Sequence, residues 1–212
     1  MRCTIDLFGE LSEAIVPVHG VICTESHDEV GNEDKRIARI ARDGKGWEMD
    51  QIALCGTVLG RGIPMAFMGQ EGGESKQFHI DWWNDRLPLD SYEADNGRKK
   101  IRAWYRKMNE IRRNDMWAFA SGTIDITHIH NDNGVIAFTR DQGDFVVVLN
   151  FKGNTWKDYN VNVARRYREI ANTRWPAFNI GGVQESSRGT DVQFVNSVHL
   201  PACGAVVLQR AP

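Results

Sequence analysis

Two short polar clusters, each closing an apolar run, hold the residues of this chain best suited to chemistry. Glu25-Ser26-His27-Asp28-Glu29 follows Val21-Ile22-Cys23-Thr24, and Gly69-Gln70-Glu71 follows Pro64-Met65-Ala66-Phe67-Met68. Carboxylates beside an imidazole move protons or steady positive charge when a scaffold holds them still. The same residue types also cap helices and solvate loops, and spacing alone leaves both readings of Glu25, Asp28, Glu29 and Glu71 open.

Other chemistries find less support. His19, His79, His128, His130 and His199 show no metal-ligand spacing; His128 and His130 share one face of a strand, but two ligands make a poor zinc site. No metal and no cofactor is expected. There is no glycine-rich phosphate loop and no Gly-x-Ser-x-Gly turn in a strand-to-helix context. With 26 Lys plus Arg against 28 Asp plus Glu, no global field selects nucleic acid as a partner. The apolar runs fall far short of the roughly 20 residues of a membrane helix. Cys3, Cys23, Cys55 and Cys203 are widely spaced with no secretory leader ahead of them, which predicts reduced thiols and a cytoplasmic location.

The elements that must position the clusters change character midway. In the first half, Val21–Thr24 and Pro64–Met68 read as buried parallel strands, with a helix through Met49, Ile52, Ala53 and Leu59 between them that closes at Gly60. Ile101, Trp104, Tyr105, Met108 and Ile111 then form one apolar helical stripe. Lys99, Lys100, Arg102, Arg106, Lys107 and Arg113 cover its other faces as a solvated surface. From Ser121 the period becomes that of strands: Ile124 to His130, Val135 to Arg140, Phe145 to Phe151, Tyr159 to Val163, Tyr167 to Ala171, Val192 to Val195, Val198 to Leu200 and Ala205 to Gln209. Turn clusters and a loop from Gly181 to Gly189 separate them. Seven or eight short strands without helices predict an antiparallel β-sandwich.

Two parallel strands, each followed by a helix, would leave both sheet edges unpaired, so the first half needs neighbours. A (β/α)₈ barrel supplies them, and it gathers functional groups where strands end. The expected organisation is a partial barrel over residues 1–120, its last two βα units, followed by a β-sandwich domain over residues 121–212.

Glu25-Ser26-His27-Asp28-Glu29-Val30-Gly31-Asn32 resembles the His-Asp motif after the seventh barrel strand of glycoside hydrolase family 13, the α-amylase superfamily, in the form seen in 1,4-α-glucan branching enzymes. Gly62 to Glu71, ending Met-Gly-Gln-Glu, looks like that family's eighth strand, about forty residues on, as one barrel repeat with a long loop requires. Phe78-His79-Ile80-Asp81-Trp82, the helix from Gly97 to Arg113 and the closing strands continue the resemblance, which covers nearly everything after residue 20.

The resemblance implies a retaining mechanism on α-1,4-glucan, glycogen or starch: an Asp nucleophile, a Glu acid/base, and a second Asp that supports the charged transition state. Asp28 matches the last. His27 and Glu29 would bind the sugar, Trp82 would stack on it or pack against the next domain, as would Trp83, and Glu71 would shape the rim. The nucleophile and acid/base motifs belong after the fourth and fifth strands, and nothing before Val21 is long enough to hold them. The missing N-terminal barrel portion is therefore expected upstream of Met1, and the 212 residues alone should be inactive. Rival expectations are an α-amylase-type or trehalose-releasing hydrolase, which Glu29 directly after Asp28 disfavours, and a non-catalytic glucan-binding module using Trp156 and Trp175.

Overall fold

The computed structural model of the chain describes residues 20–33, 35–41, 44–78, 86–181 and 193–212; Ala164 and residues 193–195 are described in their backbone only. In the first half, β1 (Val21–Ile22) and β2 (Ile63–Pro64) pair in parallel, Val21 opposite Ile63 and Ile22 opposite Pro64. The flanking bonds Ile63 N–H to Gly20 O (2.8 Å) and Met65 N–H to Ile22 O (2.8 Å) prolong the ladder by a residue at each end. The regular strands are shorter than the apolar runs that predict them. Each has one partner among the described residues, and Val21 and Ile63 are exposed, at 61% and 50%. A strand paired on one side only has little to hold its far end extended.

Between the strands come a five-residue π-helical turn, Asp28–Asn32, then α1 (Ile37–Ile40) and α2 (Gly46–Leu59). After β2 come a 3₁₀ turn, Gln70–Gly72, and the helices α3 (Leu89–Ala94), α4 (Asn96–Asn114) and α5 (Met116–Ala120). Helix α4 begins where Asp95 accepts the Arg98 N–H (3.0 Å), an N-cap that the run Asp95-Asn96-Gly97 encodes. It buries the expected stripe of Ile101, Trp104, Met108 and Ile111. Its cationic face is not wholly solvated: Lys100 donates to Asn179 O (2.5 Å), while Arg112 donates to Val58 O (2.7 Å), Gly60 O (3.2 Å) and Gly62 O. Arg112 thus satisfies the carbonyls left open where α2 ends and β2 begins.

The second half is one antiparallel sheet of six strands in the order β3 (Ile124–His130), β4 (Val135–Arg140), β5 (Phe145–Asn150), β8 (Gly204–Arg210), β6 (Trp156–Asn172) and β7 (Gln193–Leu200). The two strands expected from Tyr159 to Ala171 are one long, bulged β6, in which Asn162 takes the left-handed conformation at φ 56°. Those expected from Val192 to Leu200 are likewise one strand, β7, with Val192 itself outside the described residues. Bulges at Ile126/His128, along β6 and at Glu169/Ala171 bend the sheet until β3 meets the start of β6, where His128 Nε2 lies 3.0 Å from the Tyr159 hydroxyl.

That curvature makes two cores. One face of β4, β5 and β8 (Ile136, Phe138, Val147, Leu149, Ala205, Val207) packs on Ile52, Val58, Leu59, Trp104, Met108 and Phe119 of the helices. The other face (Val135, Ala137, Val146, Val148, Val206, Leu208) packs on Tyr159, Val161, Tyr167 and Leu200 of the curled-over strands. Because β4 and β5 are buried on both faces, they read as unbroken apolar runs rather than alternating ones. The first core crosses residue 120, so helices and sheet share one interior.

Candidate active-site rim

Directly after β1 the chain turns through Cys23 and Thr24 and buries Glu25, which is 1% exposed. One of its oxygens takes a bond from Arg36 Nη1 (2.7 Å) and the other from the Ile37 N–H (2.7 Å) at the start of α1. Arg36 is wholly buried as well. It also donates to Met68 O (2.7 Å) and Lys76 O (3.0 Å), between the rings of Phe67 and Phe78 at 5.2 and 5.3 Å. This buried pair joins the segment after β1 to the segment after β2. A lone arginine in a polar loop carries no motif. The signal available in the sequence was that a carboxylate set this close to a strand end needs a buried counter-charge.

Beyond Glu25 the polypeptide surfaces. His27 and Asp28 are open to solvent, with His27 Nε2 3.3 Å from Asp28 Oδ1, and Asn32 Nδ2 donates to that same oxygen (3.2 Å) from one turn on. Asp28 N–H donates to Ser26 Oγ (3.2 Å). The Glu29 carboxylate folds back onto Ser26, accepting from its N–H (3.0 Å) and its hydroxyl. The Ser26 hydroxyl is the main influence holding Glu29 below the ordinary carboxylate range. The π-helical turn is thereby stitched from within, and the free oxygen of Asp28 faces outward.

The second cluster sits beside the first. Gly69 has φ 89°, and a Cβ there would come within 3.0 Å of Leu87, Glu74 and Tyr92, so the Met-Gly-Gln-Glu turn requires glycine on both conformational and steric grounds. Gln70 is buried and its Nε2 donates both to Thr24 Oγ1 (2.9 Å) and to Asp50 Oδ1 (3.2 Å) on α2. Glu71 is half-buried in the 3₁₀ turn. Just after it, Glu74 is 3% exposed. It accepts from the amides of Ser75 and Lys76 (2.8 Å each) and from the Tyr92 hydroxyl, with Arg98 at 3.8 Å. Burial alone would make the carboxyl harder to ionise, but these donors outweigh it and hold it below its usual range. Burial and that carboxylate push the Tyr92 phenol up. Asp50, Glu74, Tyr92 and Arg36 were missed from sequence because each is isolated there from any recognisable spacing.

Thus the fold brings His27, Asp28, Glu29 and Glu71 to one end of the parallel pair. Trp82, with Trp83 and His79, lies outside the described residues, as do His19, Cys3 and most of the Gly181–Gly189 loop. Trp156 and Trp175 are half-buried in ring contacts, Trp156 edge-on to Tyr159 at 5.6 Å and Trp175 stacked on Phe178 at 6.2 Å. Trp175 also donates to Glu169 (2.9 Å). His128 and His130 stack at 6.2 Å, and among the described residues no three metal-ligating side chains converge. Cys23 and Cys55 are free thiols, and no described helix is long and apolar enough to cross a membrane.

Residues 126–211 match the family described as the alpha amylase C-terminal all-beta domain. A comparison with curated proteins finds no match. Among solved structures, a debranching enzyme from Nostoc punctiforme superposes over 92% of this chain with TM-score 0.60 at 19% identity. An isomaltulose synthase from Erwinia rhapontici, solved with sucrose, does so over 92% with TM-score 0.58 at 15% identity. A trehalulose synthase, solved with Tris, does so over 91% with TM-score 0.63 at 14% identity. The chain spans only 37% of the first of these proteins and 43% of each of the other two. Residues 126–211 thus form an α-amylase-type C-terminal all-β domain, and the chain, its parallel βα portion included, shares the fold of the matched part of these solved structures.

Proposed function

We propose that these residues are the last two βα units and the C-terminal domain of a retaining α-glucan-active enzyme of the α-amylase superfamily, with 1,4-α-glucan branching as its reaction. The observation that carries the reading is the exposed His27–Asp28 pair at the end of β1, beside the Gln70-Glu71 turn that ends the adjacent parallel strand. In this reading the barrel portion ends and the all-β domain begins near residue 120.

In the reaction, a glucan segment is transferred to a sugar hydroxyl to make an α-1,6 link. Asp28 accepts hydrogen bonds from sugar hydroxyls beside the reacting carbon, and those bonds strengthen as the ring gains positive charge. His27 donates to the same sugar, Glu29 helps to bind it, Trp82 offers an apolar ring face to it, and Glu71 shapes the rim. Asn32 and His27 at Asp28 Oδ1 keep the carboxylate oriented before the substrate arrives, which spares reorganisation during the reaction. The nucleophile and the acid/base come from barrel strands outside these 212 residues.

Glucan transfer and glucan hydrolysis separate cleanly in a complete enzyme carrying this segment. Loss of the amylose iodine stain without new reducing ends is expected; reducing ends appearing in step with stain loss would make it a hydrolase. The binding-module reading has less support, since Trp156 and Trp175 are both engaged in packing.

A further inference from the structure

Beneath the rim lies a buried carboxyl that the proposed reaction does not use. Asp50 on α2 is 0% exposed, and its Oδ1 accepts from Gln70 Nε2 (3.2 Å), but its Oδ2 has no partner among the described residues. The Gln70 carbonyl oxygen, also buried, lacks a partner too. Two orphaned acceptors therefore sit on side chains that are already bonded to each other through their other ends. Leaving both buried and unpaired is costly, and one proton on Asp50 Oδ2 removes both penalties, because a protonated carboxyl is a donor.

We infer that Asp50 is a positioning residue, held as the neutral acid, whose O–H donates a hydrogen bond to the Gln70 carbonyl oxygen while its other oxygen accepts from the Gln70 amide. The resulting two-point acid–amide pair fixes the Gln70 side-chain plane. Gln70 in turn reaches Thr24 at 2.9 Å, so α2 holds the end of β1 and the end of β2 in one register. The next residue, Gln51, donates to Phe178 O (2.8 Å), so the same turn of α2 that supports the rim also grips the segment after β6.

The surroundings favour the proton. Complete burial and the nearby Glu25 carboxylate push Asp50 well above the usual carboxylate range, Glu71 adds to this, and Gln70 and Arg36 only partly oppose it. Among the described residues the charged groups that act on it are Glu25 and Arg36 from the β1 segment and Glu71 from the β2 segment. Because the unfolded chain ionises this group near pH 4 while the fold retains the proton, stability falls as pH rises above that value. The fall continues until the folded carboxyl ionises and the pair opens.

The pair matters to catalysis only if the rim is the sugar site proposed above, but its existence can be read without any glucan. In the 212-residue chain labelled with carboxyl-¹³C aspartate, Asp50 is assigned by its loss in Asp50→Asn. Its resonance should stay at the protonated position from pH 4 to pH 8 while exposed aspartates titrate. Asp50→Asn, which supplies an N–H donor where the acid proton sits, should melt together with the parent near pH 4 and progressively above it towards pH 8. An ionised Asp50 resonance at pH 7 would overturn the inference. So would an Asn variant that fails to fold or melts below the parent by the same margin at every pH.

Discussion

Asp28 is the residue on which the functional reading turns, and its geometry sets what a substitution should do. Its carboxylate is exposed and bonded only to Asn32 and His27, so Asp28→Asn leaves every buried contact in place. In a complete enzyme we expect that change to lower turnover about a thousandfold with the melting temperature unchanged, since the amide keeps shape but loses charge. Steady-state kinetics beside a thermal melt checks both halves. Glu74 is the opposite kind of residue, buried and structural. Its folded carboxyl is more acidic than its unfolded one, so its stabilisation is present above about pH 4.3 and is lost as pH falls through the lower folded value. Glu74→Gln should cost about 1.5–3 kcal/mol at neutral pH and flatten the loss of stability in acid, measurable by urea unfolding at pH 7 and pH 3. The sequence announced Asp28 because its motif is local. It was silent on Glu74, Asp50 and Arg36, whose roles come from partners 11 to 40 positions away in the chain.

At the scale of elements, the Glu25–Arg36 pair fastens the β1 and β2 segments together. Removing one member leaves the other charged and buried, which costs about 3–5 kcal/mol, whereas replacing both with apolar residues costs far less. Arg36→Met should therefore destabilise strongly and the Glu25→Leu/Arg36→Met double variant should recover much of the loss, as chemical denaturation would show. Helix α4 was legible in detail because its apolar stripe repeats at the helical period and Asp95 caps it. The β6 strand was not. Asn162 and the tract from Ala164 to Arg166 interrupt its apolar alternation, and only the long-range pairing with β7 and β8 keeps it extended through them. The regular part of β2 was overestimated for the converse reason, an apolar run of full length with, among the described residues, a partner on one side.

Across the whole molecule, helices and sheet close on a common core, with Trp104 near its centre. Trp104 is wholly buried, donates to Gln51 O (2.8 Å) and meets Phe178 edge-on at 5.3 Å. Trp104→Ala should cost about 3–5 kcal/mol and should lower the melting of helices and sheet together, seen as a single shifted transition by circular dichroism in both helical and aromatic regions. The order of elements, helices with a short parallel pair and then antiparallel strands, was readable from the change of hydrophobic period near Ser121. The curl of one sheet around a second core was not, because it depends on bulges. If Asp28 supplies the transition-state carboxylate of a barrel whose nucleophile and acid/base lie on other strands, as we propose, the purified 212-residue chain incubated with amylose should leave the iodine stain undiminished and form no new reducing ends. Robust turnover by this chain alone would refute that assignment.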